Sequence, residues 1–155
     1  MTGLKATALS WLPYAIAFGM LPAVATLSAS PSRWPAAWAL TAGALLGVAA
    51  HLANVLPDLR QDVATGVRGL PHRLGTRTTA VTTAAILLAV SAMILFGPGA
   101  QPGRWGTAAL AAAVLVGGTA AATAYRDPSS RQFFPATILV AALSLVFFAL
   151  SGTRL

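Results

Sequence analysis

Residues 54–75 read NVLPDLRQDVATGVRGLPHRLG, a polar stretch that follows directly on a long apolar run. The stretch contains two of the three acidic residues of the chain, Asp58 and Asp62. These lie four residues apart, and Asn54 lies four residues before Asp58. On a helix this spacing places the three side chains on one face, about one turn apart. Ionisable groups at a membrane surface are costly, so the pattern predicts a functional site.

The residue types in this stretch favour binding of a metal ion together with phosphate. Two carboxylates and one amide oxygen form an all-oxygen ligand set, which suits Mg²⁺ bound with waters and the oxygens of a substrate phosphate. Guanidinium groups bind phosphate oxygens well. The arginines around the acids are Arg60, Arg68, Arg73 and Arg77. The stretch therefore indicates a Mg²⁺–diphosphate site. From spacing alone, a solvated loop between membrane helices stays an open alternative.

The stretch resembles the second aspartate-rich motif of the UbiA superfamily, the intramembrane aromatic prenyltransferases. The matching positions are Asp58, Asp62, Gly66, Arg68, Leu70, Pro71, Leu74 and Gly75. Gly69 stands where the family usually has Thr. Residues 10–19, SWLPYAIAFG, also resemble the fifth membrane helix of the family. The resemblance covers nearly the whole chain, but only the C-terminal half of a usual family member.

The resemblance implies a fold, an activity and roles for four residues. Family members are all-α, polytopic transmembrane helical bundles. They transfer an isoprenyl group from an isoprenyl diphosphate to an aromatic or other lipophilic acceptor, with Mg²⁺ as cofactor. By this resemblance Asp58 and Asp62 are the catalytic, Mg²⁺-binding residues. Asn54 supports them, and Arg68 helps to bind the diphosphate.

The composition independently predicts a membrane protein. Hydrophobic residues make up 57% of the chain and charged residues 8%, whereas about a quarter of a soluble domain is charged. The chain has no cysteine, which excludes disulfide and thiolate chemistry. The basic residues that give the formal net charge of +7 lie in membrane-flanking loops, where attraction to anionic headgroups and the topology of the chain explain them. No nucleic-acid-binding pattern accompanies it, so we expect the lipid bilayer and no nucleic acid as partner.

Five apolar runs divide the chain into five expected membrane-spanning helices within a single membrane domain, residues 1–155. The first run is long enough to cross about 30 Å of hydrocarbon. The expected helices cover residues 8–27, 36–56, 78–96, 105–125 and 133–150, and a motif loop covers residues 54–77. The first run is too long for the apolar core of a typical signal peptide.

Basic residues predict the orientation of these helices. With five spans, one side of the membrane carries Lys5, Arg60, Arg68, Arg73, Arg77, Arg126 and Arg131. The other side carries Arg33, Arg104 and Arg154. The positive-inside bias predicts that the N-terminus and the motif loop are cytoplasmic, and that the C-terminus lies on the opposite side.

Two histidines and a glycine pair have alternative interpretations. His51 is three residues before Asn54, so it either contacts the substrate or the acids, or packs as a satisfied core histidine. We expect His72 to be an exposed loop residue. Gly43 and Gly47 form a GxxxG pattern, which allows close approach of helices, although glycine is frequent in membrane helices anyway.

The family's first aspartate-rich motif is absent from these residues. Usual members carry two such motifs that face each other across a cavity, whereas here Asp127 stands alone in its loop. We therefore expect a half-enzyme that works with a second chain or as a homo-oligomer, a truncated or mis-started product, or a remnant with another role. The competing function is a non-catalytic membrane protein that retains at most a Mg²⁺–diphosphate motif. Half of a transporter is a weaker third reading.

Overall fold

The computed structural model describes residues 7–59, 62, 69–97, 104–127, 135, 138–140 and 142. Within them the regular structure is entirely helical. The helices are α1 (Leu12–Leu27), α2 (Ala37–Val55), α3 (Leu70–Leu74), α4 (Thr76–Phe96) and α5 (Arg104–Arg126). A 3₁₀ turn, Leu56–Asp58, extends α2 toward the acidic motif. The predicted helical class is thus confirmed over the described residues.

Two helices are long and apolar enough to cross a membrane, judged over the described residues alone. They are Ala37–Asp58, with a mean hydropathy of 1.7, and Thr76–Phe96, with a mean hydropathy of 2.2. Residues 12–27 and 110–123 form shorter apolar helices. The number of five spans stays a prediction, since most of the run at 133–150 lies outside the described residues. Residues 135, 138–140 and 142 within that run are helical.

Helix α1 begins at Leu12 rather than at Ala8. Pro13 occupies its first turn, where the missing backbone N–H of proline is not needed and its fixed φ favours the start of a helix. Residues 7–11 instead form turns, in which the Ser10 amide donates to the Thr7 carbonyl at 3.2 Å. This late start leaves the Ser10 side chain available for contacts outside the helix.

Helix α2 lies between α1 and α4, and α4 in turn packs on α5. The GxxxG pair of α2 faces α1. A methyl group at Gly43 would lie 2.6 Å from the Phe18 carbonyl oxygen, and one at Gly47 would meet the Tyr14 carbonyl. The two backbones therefore approach each other closely, which is the use of small residues that the pattern allows.

Helix α4 carries buried hydroxyl side chains that donate hydrogen bonds to its own backbone. Thr83 Oγ1 donates to the Thr79 carbonyl at 2.7 Å, and Ser91 Oγ donates to the Leu87 carbonyl at 2.9 Å. All of these hydroxyls are buried. Because each hydroxyl is satisfied within α4, the helix can pack in an apolar interior without an unpaired donor. On the side toward α2 and α5 a buried cluster joins Ala49, Leu87, Ala113 and Val140.

Candidate functional site

The acidic motif begins where α2 changes into the 3₁₀ turn. Pro57 stands in the first turn of this element. Because proline has no backbone N–H, it cannot donate the hydrogen bond that would continue α2. Leu56 and Leu59 are buried with Ala53 and Ala80 in one cluster, which fixes the turn against α4. Asp58 is on the exposed side of the turn, and Asn54 is exposed one turn earlier. The packing of the leucines therefore leaves the Asp58 carboxylate accessible.

Asp62 lies against a buried histidine. Its backbone is helical and its side chain is 32% exposed. The Nε2 atom of His72 lies 3.5 Å from Asp62 Oδ2, and the His72 side chain is only 4% exposed. The prediction that His72 is an exposed loop residue is therefore wrong. The reason is α3, which begins beside the buried Pro71 and directs the following ring inward.

The start of α3 is held by a contact with the beginning of the chain. The Leu70 amide donates to Ser10 Oγ at 3.2 Å. The same hydroxyl lies 3.0 Å from Nε2 of His51, and this contact is buried. The Tyr14 ring packs on the His51 imidazole, with ring centroids 4.9 Å apart. We call Ser10, His51 and Leu70 the Ser10 junction. Of the two interpretations of His51, the structure shows a buried histidine satisfied by Ser10.

The end of α3 is held by α4. The Gly75 amide and Thr79 Oγ1 both donate to the Pro71 carbonyl, at 3.0 and 3.2 Å. Gly75 has φ 77° and ψ 162°, a region essentially restricted to glycine. An isolated helix of five residues would not be stable in water. Here both ends are fixed, so α3 presents His72 from a well-defined position.

Two of the four arginines near the acids belong to the described residues. Arg60, Arg68 and the intervening Gly66 lie outside the described residues. Arg73 is exposed at the end of α3. The Arg77 guanidinium lies over the Tyr125 ring, 5.0 Å from its centroid, so this arginine joins α4 to α5 by a cation–π contact.

The donor set is compatible with Mg²⁺ held jointly with a ligand. Over the described residues, no group of three His, Cys, Asp or Glu side chains could enclose a metal ion. Mg²⁺ does not need such a cage, because it usually keeps several waters and takes one or two carboxylates plus substrate phosphates. The exposed Asp58 and the partly exposed Asp62 are two such carboxylates.

Comparison with known proteins assigns the family. The model of the UbiA prenyltransferase family matches residues 2–145. The chain belongs to the UbiA prenyltransferase family. Neither a curated protein nor a solved structure matches it. The match extends over all five helices, α1–α5, and over the acidic stretch at 54–75, so the resemblance seen in the sequence is confirmed.

The described helices also enclose an apolar cavity. A cavity of about 290 Å³ lies between α1, α2 and α4. Its lining comprises Phe18, Leu21, Pro22, Ala25, Trp38, Ala39, Ala42, Gly43, Leu46, Val90 and Ile94. All of these residues are apolar, so the cavity suits a hydrocarbon chain. It lies along the N-terminal half of α2, whereas Asp58 follows the C-terminal end of that helix.

Reasoning from the UbiA-like motif alone missed Ser10, Thr79 and the buried state of His72. Ser10 and Leu70 are 60 residues apart in sequence, and Ser10 and His51 are 41 apart. No local pattern reports contacts over such distances. One local signal for His72 was available: the preceding Pro71 is typical of the first turn of a helix.

Proposed function

We propose that this UbiA family protein binds an isoprenyl diphosphate through Mg²⁺ at Asp58 and Asp62. We further propose that it takes part in transfer of the isoprenyl group to an aromatic or other lipophilic acceptor. The observation that carries the proposal is the pair of accessible carboxylates at the end of a membrane-length helix in a chain of this family. The carboxylates hold the metal, Asn54 supports them, and Arg68 binds diphosphate oxygens.

The reaction requires cleavage of the bond between the allylic carbon and the diphosphate oxygen. The bonding electron pair leaves with the diphosphate, the acceptor forms a new bond to the allylic carbon, and the acceptor then loses a proton. Mg²⁺, when bound, neutralises negative charge on the leaving diphosphate. The apolar faces of α1, α2 and α4 keep water away from the electron-deficient carbon.

Binding can be tested by the thermal stability of the detergent-purified protein. A ligand that binds only the folded state, supplied at 100 times its Kd, stabilises by about 2.7 kcal/mol. We expect Mg²⁺ with geranyl or farnesyl diphosphate to raise the Tm of the wild type and not that of an Asp58→Ala, Asp62→Ala variant. Asp127→Ala is the matched control, because Asp127 is the third acid and is exposed outside the motif. Equal shifts in all three proteins would refute the site.

Turnover is the second test, because the described acids form one aspartate-rich motif and the family's chemistry uses two. We propose that a second set of carboxylates for Mg²⁺ comes either from a second chain that bears the first motif or from the Asp58 and Asp62 of a second copy of this chain. We expect little or no prenyl transfer by the 155-residue chain alone. Co-expression with a partner bearing the first motif should restore activity only while Asp58 and Asp62 are intact. Robust turnover by the single chain, in monomeric form, would overturn this requirement.

The single motif also favours a second candidate, a membrane protein that binds Mg²⁺–diphosphate without catalysis. The two candidates predict the same thermal shift and differ in turnover. A shift that depends on both acids, without prenyl transfer in the presence of any first-motif partner, would favour the binding protein.

A further inference from the structure

We propose that His72 is a positioning residue for Asp62. The inference rests on the proposed function and adds to it a residue that fixes the orientation of one metal-binding carboxylate. Its starting point is the burial of the imidazole. The side chain is 4% exposed, yet neither Nδ1 nor Nε2 makes a hydrogen bond within the described residues. Buried polar atoms without a partner cost free energy, so one that persists calls for an explanation.

The imidazole of His72 lies beside a carboxylate. Nε2 of His72 points to Asp62 Oδ2 at 3.5 Å, beyond the usual 2.7–3.2 Å range of N–H···O bonds. The histidine therefore faces the carboxylate without closing a hydrogen bond. With the proton on Nε2, a small movement of the Asp62 side chain completes the bond. The imidazole would then hold the carboxylate, whose side chain is 32% exposed, in one orientation toward the proposed metal ion.

The fixed position of α3 makes His72 suitable for this role. The Leu70 amide is bonded to Ser10, and the Pro71 carbonyl accepts from Thr79. His72 follows directly on these two anchored residues. A donor on a support that is held at both ends can orient a carboxylate, in the way that outer-shell partners orient metal ligands and raise metal affinity.

The contact itself can be tested without any metal. The chain has two histidines, so ¹⁵N-histidine labelling in detergent gives two sets of imidazole signals. The set that disappears in His72→Gln belongs to His72. We expect Asp62→Asn to move the His72 Nε2 signal and to leave His51 unchanged. Asp58→Asn is the matched control, because it removes one charge from the same motif, and it should leave both signals in place. If the His72 Nε2 signal does not move in Asp62→Asn, the proposal is overturned.

The functional consequence can be tested by Mg²⁺ titration in the presence of inorganic diphosphate. Loss of an outer-shell partner typically weakens metal binding 10–100-fold. We expect His72→Leu to weaken Mg²⁺ binding about tenfold, and His72→Gln, which retains a side-chain N–H, to recover most of it. A general structural role would not distinguish these two variants.

The outcomes separate this inference from the proposed function. If His72→Leu binds Mg²⁺ as the wild type does while Asp58→Ala, Asp62→Ala does not bind, the positioning role is refuted and the proposed function stands. If the wild type fails to bind Mg²⁺–diphosphate, both are refuted. If His72→Leu does not fold, the response of the His72 signal to Asp62→Asn decides the question.

Discussion

The close contact of α1 with α2 predicts a large penalty for one added methyl group at Gly47. An alanine side chain there would meet the Tyr14 carbonyl group, whose carbon lies 2.7 Å from the new Cβ, and Phe18 Cβ at 2.9 Å. Two of these atoms belong to the backbone, so α1 as a whole must shift. Tyr14 also packs on His51, so the shift would reach the Ser10 junction.

The expected magnitude follows from two opposed effects. Alanine is favoured over glycine inside a helix by about 0.8–1.0 kcal/mol. Extra methyl groups in a tightly packed interior cost about 1–3 kcal/mol. Gly118→Ala in α5 is the matched control, because a Cβ at Gly118 would meet no atom of the described residues within 4 Å. The control experiences the first effect alone, so Gly47→Ala should be less stable than Gly118→Ala by about 1–3 kcal/mol.

Chemical unfolding in mixed detergent micelles, followed by the helical circular dichroism signal, measures this difference. We expect the unfolding midpoint of Gly47→Ala to lie clearly below that of Gly118→Ala, and the midpoint of Gly118→Ala to equal or exceed that of the wild type. If both variants were stabilised equally, the two backbones would be farther apart than described, and the use of the GxxxG pair between α1 and α2 would be refuted.

Two further predictions concern the Ser10 junction and the orientation of the chain. Ser10→Ala leaves the Leu70 amide and His51 Nε2 without their buried partner, so it should lower the free energy of unfolding by about 1–3 kcal/mol. Thr119→Ala removes an exposed hydroxyl that is bonded within its own helix, so it should change the free energy of unfolding far less. Equal losses in the two variants would count against the Ser10 junction. A reporter inserted at Thr65 should be cytoplasmic, and one fused after Leu155 should lie on the opposite side, since seven basic residues oppose three; the reverse labelling pattern would overturn the predicted topology.

The parts of the fold that follow from local chemistry were predictable. Composition and apolar runs predict helices close to α2 and α4, because span length and hydropathy are properties of the residues themselves. Asp58 lies directly after α2, as its place behind an apolar run in the sequence indicates. Pro57 contributes to this, since it ends the regular hydrogen bonding of α2 just before Asp58.

The parts that depend on tertiary contacts were not predictable. His72 stands in a stretch rich in arginine and glycine, which indicates exposure, yet the burial of Pro71 and the bonds to its carbonyl turn the imidazole inward. Ser10 has no special local pattern, and its hydroxyl acquires a role only once residues 51 and 70 are nearby. Likewise, the spacing of Gly43 and Gly47 allows a close approach but does not name the helix that approaches.

The hydrogen bond between the Leu70 amide and the Ser10 hydroxyl joins residues far apart in the sequence. This separation has a consequence for the order in which the parts of the fold can assemble during synthesis. The amide partner of Ser10 is 60 residues later in the chain. At synthesis rates of about 5–20 residues per second, Ser10 is made about 3–12 s before that partner. During this interval α1 and α2 can pair through their glycines and bring Ser10 next to His51, but α3 has not yet been made. The order of the chain therefore allows α3, which carries His72, to join a pair of helices that has already formed.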